Sequence, residues 1–269
     1  MSSSSTSGLA ISRFSLDTHT LAPSGASNAY VLGEVDGLLI DPAGRSPDLD
    51  RAVAERVGHV ALTHHHPDHV DGVEHYASEH GLTVWSLAGR QTSFLDATGI
   101  EPERTFLPGE TLPVAGGIDI LDTPGHSMDH VAFVVDDAMM SGDLVLRDST
   151  VVVSARGGDM RAYLSSLRRV AARSPDRLYP GHGPVIDTPR ETCMGTLHRR
   201  LYRERRVLEA IENGHHTLDD VIDAAYEKDV SDVFMLAKLT VEAHLEKLEI
   251  EGRITREDEH ITVATPPRP

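Results

Sequence analysis

Residues 63–72 read THHHPDHVDG, a stretch that holds four of the chain's 16 histidines and two aspartates. His64 and His66 are two positions apart, so on an extended segment their imidazoles project to the same side. Asp68 and His69 follow where the chain turns into a helix, so a single loop can aim all four groups into one cavity. Neutral imidazoles beside a carboxylate suit a borderline divalent ion such as zinc. Three distant segments repeat the theme: DTPGHSMDH presents His126 after a Pro-Gly turn, MMSGDLV presents Asp143 after an apolar run, and YPGHGP presents His182 between glycines. A histidine-rich surface loop would account for the first cluster but not for further ligand types at three other strand ends. The chemistry indicated is metal-assisted, with no need of a side-chain nucleophile. SGDLVL is not a G-x-S-x-G elbow, and Cys193, the only cysteine, falls inside a helix as an ordinary helix residue.

The elements that must hold these groups alternate in type. Short strands are predicted at NAYVLGE, GLLIDPA, HVALTH, LTVWS, IDILDTP, VAFVVDD and AMMSGDLVL, with a further strand-to-loop transition at RLYPGHGPVI. Between them DLDRAVAERV and DHVDGVEHYASEHG read as helices, the second running to Gly81. DMRAYLSSLRRVAAR places Met160, Leu164, Leu167 and Val170 on one helical face. The fold class is therefore α/β (α+β), layered around sheet. From Thr188 the character changes to one long helix, starting at a proline and stopping near Gly214. Two further amphipathic helices follow, the last with Phe234, Ala237, Val241, Leu245 and Leu248 on one face, and then the hairpin pattern RITREDEHITVA. That order fits a winged-helix module. The expected division is a disordered serine-rich tail at 1–12, a catalytic domain at 13–187, and a linker helix with the winged-helix-like domain at 188–269.

The histidine and aspartate motifs, in this order, resemble those of the metallo-β-lactamase superfamily over roughly Ser27–Asp187. The resemblance implies a four-layered αβ/βα sandwich with a metal site at one edge. It implies that His64, His66 and His126 hold one metal, that Asp68, His69 and His182 hold a second, and that Asp143 bridges them. His65 carries no ligand role in that scheme, and Asp71 stands where relatives often have glycine. The segments GDMRAYLSSLRRV, YPGHGPVI, LHRRLYRER and HLEKLEIEGRI resemble the β-lactamase-like protein 2 subgroup, in which a winged-helix-like domain follows the hydrolase domain. Two zinc ions are the implied cofactors, with iron or manganese as alternatives. Flavodiiron relatives carry glutamate where this chain has His66, which favours hydrolysis over redox chemistry. Two such metals would supply a water acidified to near neutrality, able to attack a carbonyl or phosphoryl centre, and Lewis acidity for the developing oxyanion. Asp68 is the expected catalytic residue, orienting the nucleophile or handling a proton.

Composition limits the substrate. The formal net charge is −17, from 42 acidic and 25 basic side chains, which disfavours nucleic acid and anionic membranes as partners. The start MSSSSTSGLAISRF lacks the features of a secretory signal and no apolar run approaches a membrane span, so a cytoplasmic protein is expected. A DNA-reading winged helix would carry basic residues on its last helix, yet here Glu242, Glu246, Glu249 and Glu251 occupy it. This module is expected to be a lid or a homodimer contact. The exception is HRRLYRERR, either a solvated face or a clamp for an anionic or carrier-linked part of a small-molecule substrate. His198, Arg199 and Arg203 are the candidate substrate contacts. The expected function is zinc-dependent hydrolysis of a small thioester, ester or lactone. The alternatives are a metal-dependent endoribonuclease and a metal-binding regulatory protein with little turnover, the last opposed by the completeness of the ligand set.

Overall fold

The apolar runs form two facing sheets in a computed structural model that describes residues 9–227, 230–258 and 260–264. The first sheet orders six strands in sequence: β1 (Ile11–Asp17), β2 (Ala26–Leu32), β3 (Gly37–Ile40), β4 (Val57–Ala61), β5 (Thr83–Leu87) and β6 (Arg104–Phe106). β1 to β3 pair antiparallel, and β3 to β6 are parallel. The second sheet comprises β7 (Thr111–Leu112), β8 (Ile118–Asp122), β9 (Val131–Val135), β10 (Ala138–Gly142) and β11 (Arg177–Pro180). Its strands are antiparallel except for the parallel β10–β11 pair.

Strand periodicity explains why these runs are apolar on both faces. Successive side chains point to opposite sides, so Tyr30 and Leu32 enter the core between the sheets while Ala29 and Val31 enter the outer one. In β9, Phe133 and Val135 likewise face the central core, and Ala132 and Val134 face outward. Helices α1 (Pro47–Arg56), α2 (Pro67–Val70), α3 (Val73–His80) and α4 (Gln91–Thr98) belong to the first half, and Leu49, Tyr76 and Phe94 seal its outer core. Helices α5 (Met160–Arg173) and α6 (Pro189–Glu212) cover the second sheet. The result is the expected four-layered sandwich, followed by α7 (Leu218–Ala225), α8 (Phe234–Ile250) and the hairpin β12 (Ile254–Glu257) with β13 (His260–Val263). No helix among the described residues is long and apolar enough to cross a membrane.

Three features differ from the expectations. The predicted single helix over 68–81 breaks at Asp71–Gly72 into α2 and α3. β1 starts at Ile11, inside the stretch expected to be a tail, whose first eight residues lie outside the described ones. It is an edge strand with one fully buried position, Leu16, so its apolar signal is short. Finally, α6 is more than a linker: Cys193 and Leu197 belong to the sandwich core, while Val207, Ala210 and Ile211 belong to the core of the C-terminal domain. α8 also buries two faces, with Val241, Leu245 and Leu248 in the C-terminal core and Ala243 in the sandwich core. The two domains are packed through shared helices.

Candidate metal centre

Every candidate ligand lies just beyond a strand at the same edge of the sandwich. His64, His66, Asp68 and His69 follow β4, His126 follows β8, Asp143 follows β10 and His182 follows β11. Hydrogen bonds between the sheets close this edge: Val131 N donates to Thr63 O (2.9 Å), Tyr30 Oη to Pro180 O (2.6 Å) and Asn28 Nδ2 to Pro180 O (2.9 Å). Two glycines give the side chains room. A Cβ on Gly181 would lie 2.5 Å from Asp143 Oδ1 and 2.7 Å from His69 Cε1. One on Gly142, whose φ is +46°, would lie 2.6 Å from Thr63 Oγ1 and 2.7 Å from His130 Nε2.

The structure brings the seven predicted ligands together in three overlapping groups: His64, His66 and His126; His64, His69 and Asp143; and Asp68, His69 and His182. Within each group the ligand atoms lie within 4.8 Å of one another. Asp143 stands between the two histidine sets, its oxygens 3.7 Å from His69 Nε2, 3.7 Å from His126 Nε2 and 3.3 Å from His182 Nε2.

The outward ring nitrogens fix which atom each imidazole offers. His126 Nδ1 donates to Val152 O (2.7 Å) and His182 Nδ1 to Ala26 O (2.8 Å), which leaves both Nε2 atoms facing the centre. His64 Nδ1 donates to Thr63 Oγ1 (3.0 Å), and Thr63 Oγ1 donates on to Asp41 Oδ2 (2.7 Å). The same Asp41 oxygen accepts from His69 Nδ1 (3.2 Å), and Asp41 Oδ1 accepts from Thr63 N (2.7 Å). Such partners set the tautomer and aim of a metal-binding histidine.

The residues present fit a divalent ion. With their Nδ1 atoms committed as donors, the Nε2 acceptors of His64 and His126 lie 3.0 and 2.8 Å from His66 Nδ1. Converging lone pairs at that spacing repel unless a proton or a cation lies among them. His69 Nε2 and Asp143 Oδ1 are buried without any hydrogen-bond partner, as atoms awaiting a ligand would be. Burial and the neighbouring imidazoles hold His64 well below its usual pKa and bring His66 down to about 4, so both stay neutral donors at pH 7. Burial also lowers His126. It opposes charge on His69 as well, but Asp41, Asp143 and Asp68 outweigh it and push His69 up to about 9. Asp143 is held well below the carboxylate range: burial works against this, and the surrounding His182, His69 and His126 overcome it.

A family profile described as Metallo-beta-lactamase superfamily matches residues 22–182, more than half of the chain. The chain belongs to this superfamily. A second profile, Beta-lactamase associated winged helix domain, matches residues 217–262. Among relatives, the chain is 25% identical over 264 residues to "Beta-lactamase-like protein 2 homolog" of Drosophila melanogaster, spanning 85% of this chain and 84% of that protein. It is 29% identical over 198 residues to "Atrochrysone carboxyl ACP thioesterase" of Aspergillus fumigatus, spanning 70% of this chain but 60% of that longer protein. A metallo-beta-lactamase family protein from Thermus thermophilus superposes with a TM-score of 0.75 at 20% identity, over 93% of this chain and 98% of that one, a likeness of fold. TTHA1623, crystallised in a di-iron-bound form, gives a TM-score of 0.51 at 29% identity over 67% of this chain and 96% of its own.

In this member of the superfamily the candidate metal centre opens into a cavity of about 640 Å³ with a mainly apolar wall. His66, Asp68, His126, Asp143 and His182 lie at one part of it, the β1–β2 loop and the segment after Asp143 at another, and Tyr226, Leu236, Ala237 and Thr240 of the C-terminal domain close a third side. The predicted substrate contacts are placed differently from expectation. His198 and Arg199 are exposed on α6 and do not line the cavity, and Arg199 donates to Thr196 Oγ1 (2.8 Å). Arg200 lines it instead, because one residue turns a helix by about 100°. Arg203 is turned onto the Tyr226 ring, 3.5 Å from its centroid, and donates to Ala225 O.

Sequence reasoning also missed three supporting residues. Asp41 had a visible signal, since it follows the apolar run GLLI as the ligands follow theirs. Asp129 accepts from both the backbone N and the Nδ1 of His65 (3.0 Å each), so His65 ties two ligand-bearing loops together. His130 is buried, and its Nε2 accepts from Asp143 N (3.0 Å) while Nδ1 donates to Thr123 Oγ1 (2.8 Å). Nothing local in the sequence marks Asp129 and His130 as partners of residues so far away in the chain.

Proposed function

We propose that this chain is a metal-dependent hydrolase of a small acyl thioester or a related ester or lactone. The observation that carries this reading is the opening of the clustered histidines and carboxylates into one mainly apolar cavity, partly closed by the C-terminal domain. His64, His66 and His126 would hold one ion, Asp68, His69 and His182 a second, and Asp143 both. Zinc suits this all-imidazole and carboxylate donor set, with iron or manganese as alternatives. When bound, such ions supply Lewis acidity and an activated water near neutral pH. The chain's own residues do the rest. The apolar wall excludes bulk water and takes up the acyl group. Asp68, 18% exposed and with Oδ2 3.4 Å from His182 Nε2, faces the cavity and is placed to accept the proton released on attack and return it to the leaving group.

Two further observations support a small substrate over RNA. α8, which would read a nucleic acid in a free winged helix, is buried on two faces and lends Leu236, Ala237 and Thr240 to the cavity. The net charge of −17 also opposes a phosphate backbone. The thioesterase name belongs to the Aspergillus protein, and it favours a thioester within the proposed class. Kinship with the β-lactamase-like protein 2 subgroup is part of the same reading, supported by the Drosophila relative. A cytoplasmic setting suits the one thiol, Cys193, which is buried and unpaired. The test is elemental analysis paired with a screen of acyl thioesters, lactones, β-lactams and a short RNA. Close to two ions per chain and chelator-sensitive thioester cleavage are expected. Metal-dependent RNA cleavage with no acyl hydrolysis would replace the reading with the nuclease.

A further inference from the structure

The cavity contains a cation that the metal chemistry does not use. Arg200 is 7% exposed and lines the cavity beside apolar side chains such as Leu146, Val151 and Leu236. A guanidinium stays charged at any relevant pH, so its burial calls for a counter-charge. None is provided. Arg200 has no ion-pair partner among the described residues; its Nη2 donates to the neutral carbonyl of Val151, its guanidinium lies 5.7 Å from the centroid of the Tyr163 ring and hydrogen-bonds the neutral Tyr163 hydroxyl, and its Nε is buried without an acceptor. The other arginines of α6 nearby are accounted for: Arg203 rests on Tyr226, and Arg205 and Arg206 reach Glu209. The acidic residues lining the cavity, among those described, are Asp68 and Asp143, and both lie in the metal-ligand cluster.

We propose that Arg200 is a subsite for a substrate oxyanion, and that the hydrolysed molecule carries a carboxylate on its acyl part, held there while its scissile carbonyl sits at the metal centre. This deepens the hydrolase reading and rests on it. The mouth of the cavity has a different character, with exposed Leu21, Val233 and Arg156. A carrier phosphate would keep its water at that exposed end. A carboxylate is smaller and singly charged, loses less hydration on entering an apolar chamber, and matches the planar guanidinium fork.

The experiment uses the full-length, metal-loaded protein and calorimetric binding of two non-hydrolysable thioethers of N-acetylcysteamine matched in length, S-pentyl and S-(carboxybutyl). The wild type is expected to prefer the carboxylated probe on the order of 10- to 100-fold, the equivalent of one charge-assisted hydrogen bond. Arg200→Gln keeps a donor for Val151 O but loses the charge, and should bring that ratio to about 1 with metal content unchanged. Arg200→Lys, which retains a charge without the fork, should keep part of the preference and serves if the glutamine variant does not fold. A wild type without preference, or variants that weaken both probes and keep the ratio, would overturn the subsite and leave Arg200 as a structural tie. A parallel pair, S-pentyl pantetheine with and without its phosphate, tests the other source of an oxyanion: an Arg200-dependent preference for the phosphate alone would overturn the carboxylate assignment. Turnover of the corresponding thioesters is measured separately. If neither is hydrolysed while the Arg200-dependent binding preference persists, the hydrolase reading fails and the subsite stands.

Discussion

Asp41 and His69 meet at 3.2 Å with both side chains buried, Asp41 Oδ2 accepting the proton of His69 Nδ1. Through Thr63 the same carboxylate also holds His64, so one residue outside the ligand set aims a member of each histidine group. Asp41→Asn keeps the size and tolerates the positive φ of 50°, but it replaces one acceptor oxygen with a donor. Metal affinity should fall by roughly 10- to 100-fold with the fold retained. Metal titration followed by circular dichroism checks both halves of this expectation, and undiminished affinity would remove Asp41 from the positioning role.

Asp143 lies within 3.7 Å of histidines from both sets, His126 on one side and His69 and His182 on the other. Asp143→Asn should therefore lower metal content more than the substitution of any single histidine, to below one ion per chain by elemental analysis. Retention of two ions would show that the carboxylate serves neither.

The His65–Asp129 contact predicts a different kind of loss. Asp129→Asn removes the charge that accepts from His65 N, His65 Nδ1 and Ser127 Oγ, and alters none of the seven candidate ligands. Denaturant unfolding should show a destabilisation of about 1.5–3 kcal/mol, the range for hydrogen bonds to a charged group. Unchanged stability would make the contact incidental.

Arg199 and Arg203 should separate cleanly. Arg199→Ala alters an exposed side chain and should change stability by less than about 0.5 kcal/mol. Arg203→Ala removes the stacking on Tyr226 and the bond to Ala225 O that join α6 to α7, and should cost roughly 1–3 kcal/mol. Equal thermal stability of the two variants would contradict this assignment.

Acid should loosen the junction of α6 and α8. There Glu204, 13% exposed, accepts from Lys247 Nζ (2.7 Å) and His244 Nδ1 (3.3 Å). Burial raises the Glu204 pKa, but those two partners outweigh it and leave it lowered from 4.5. A carboxylate depressed in the folded state contributes stability above its unfolded pKa and loses it as pH falls through the folded one. Glu204→Gln should thus be about 1–3 kcal/mol less stable than wild type at pH 7. That gap should narrow below pH 4.5, read from denaturation midpoints across pH. A gap independent of pH would mean that the charge of Glu204 is not what stabilises the junction.

The sequence by itself determined the layered α/β class and the appended winged helix, and it named the seven candidate ligands that the fold brings together. Each candidate ligand is a distinctive residue type within a few residues after an apolar run or, for His69, in the same loop as one that is, and a strand that is buried on both faces shows as such a run whatever packs against it. The Asp41 carboxylate was legible by the same rule. The tertiary structure alone decided which arginine of α6 enters the cavity, because that depends on the rotation of a helix gripped by two cores, Cys193 and Leu197 in one and Val207 and Ile211 in the other. It also decided that α8 closes the site. Its amphipathic pattern recorded the face toward α7 and the wing, while Thr240, Ala243 and His244 give a second buried face no periodic signature, since small and polar residues are buried there by contact with a neighbouring domain. Local pattern encodes which groups are available; long-range packing fixes which of them meet.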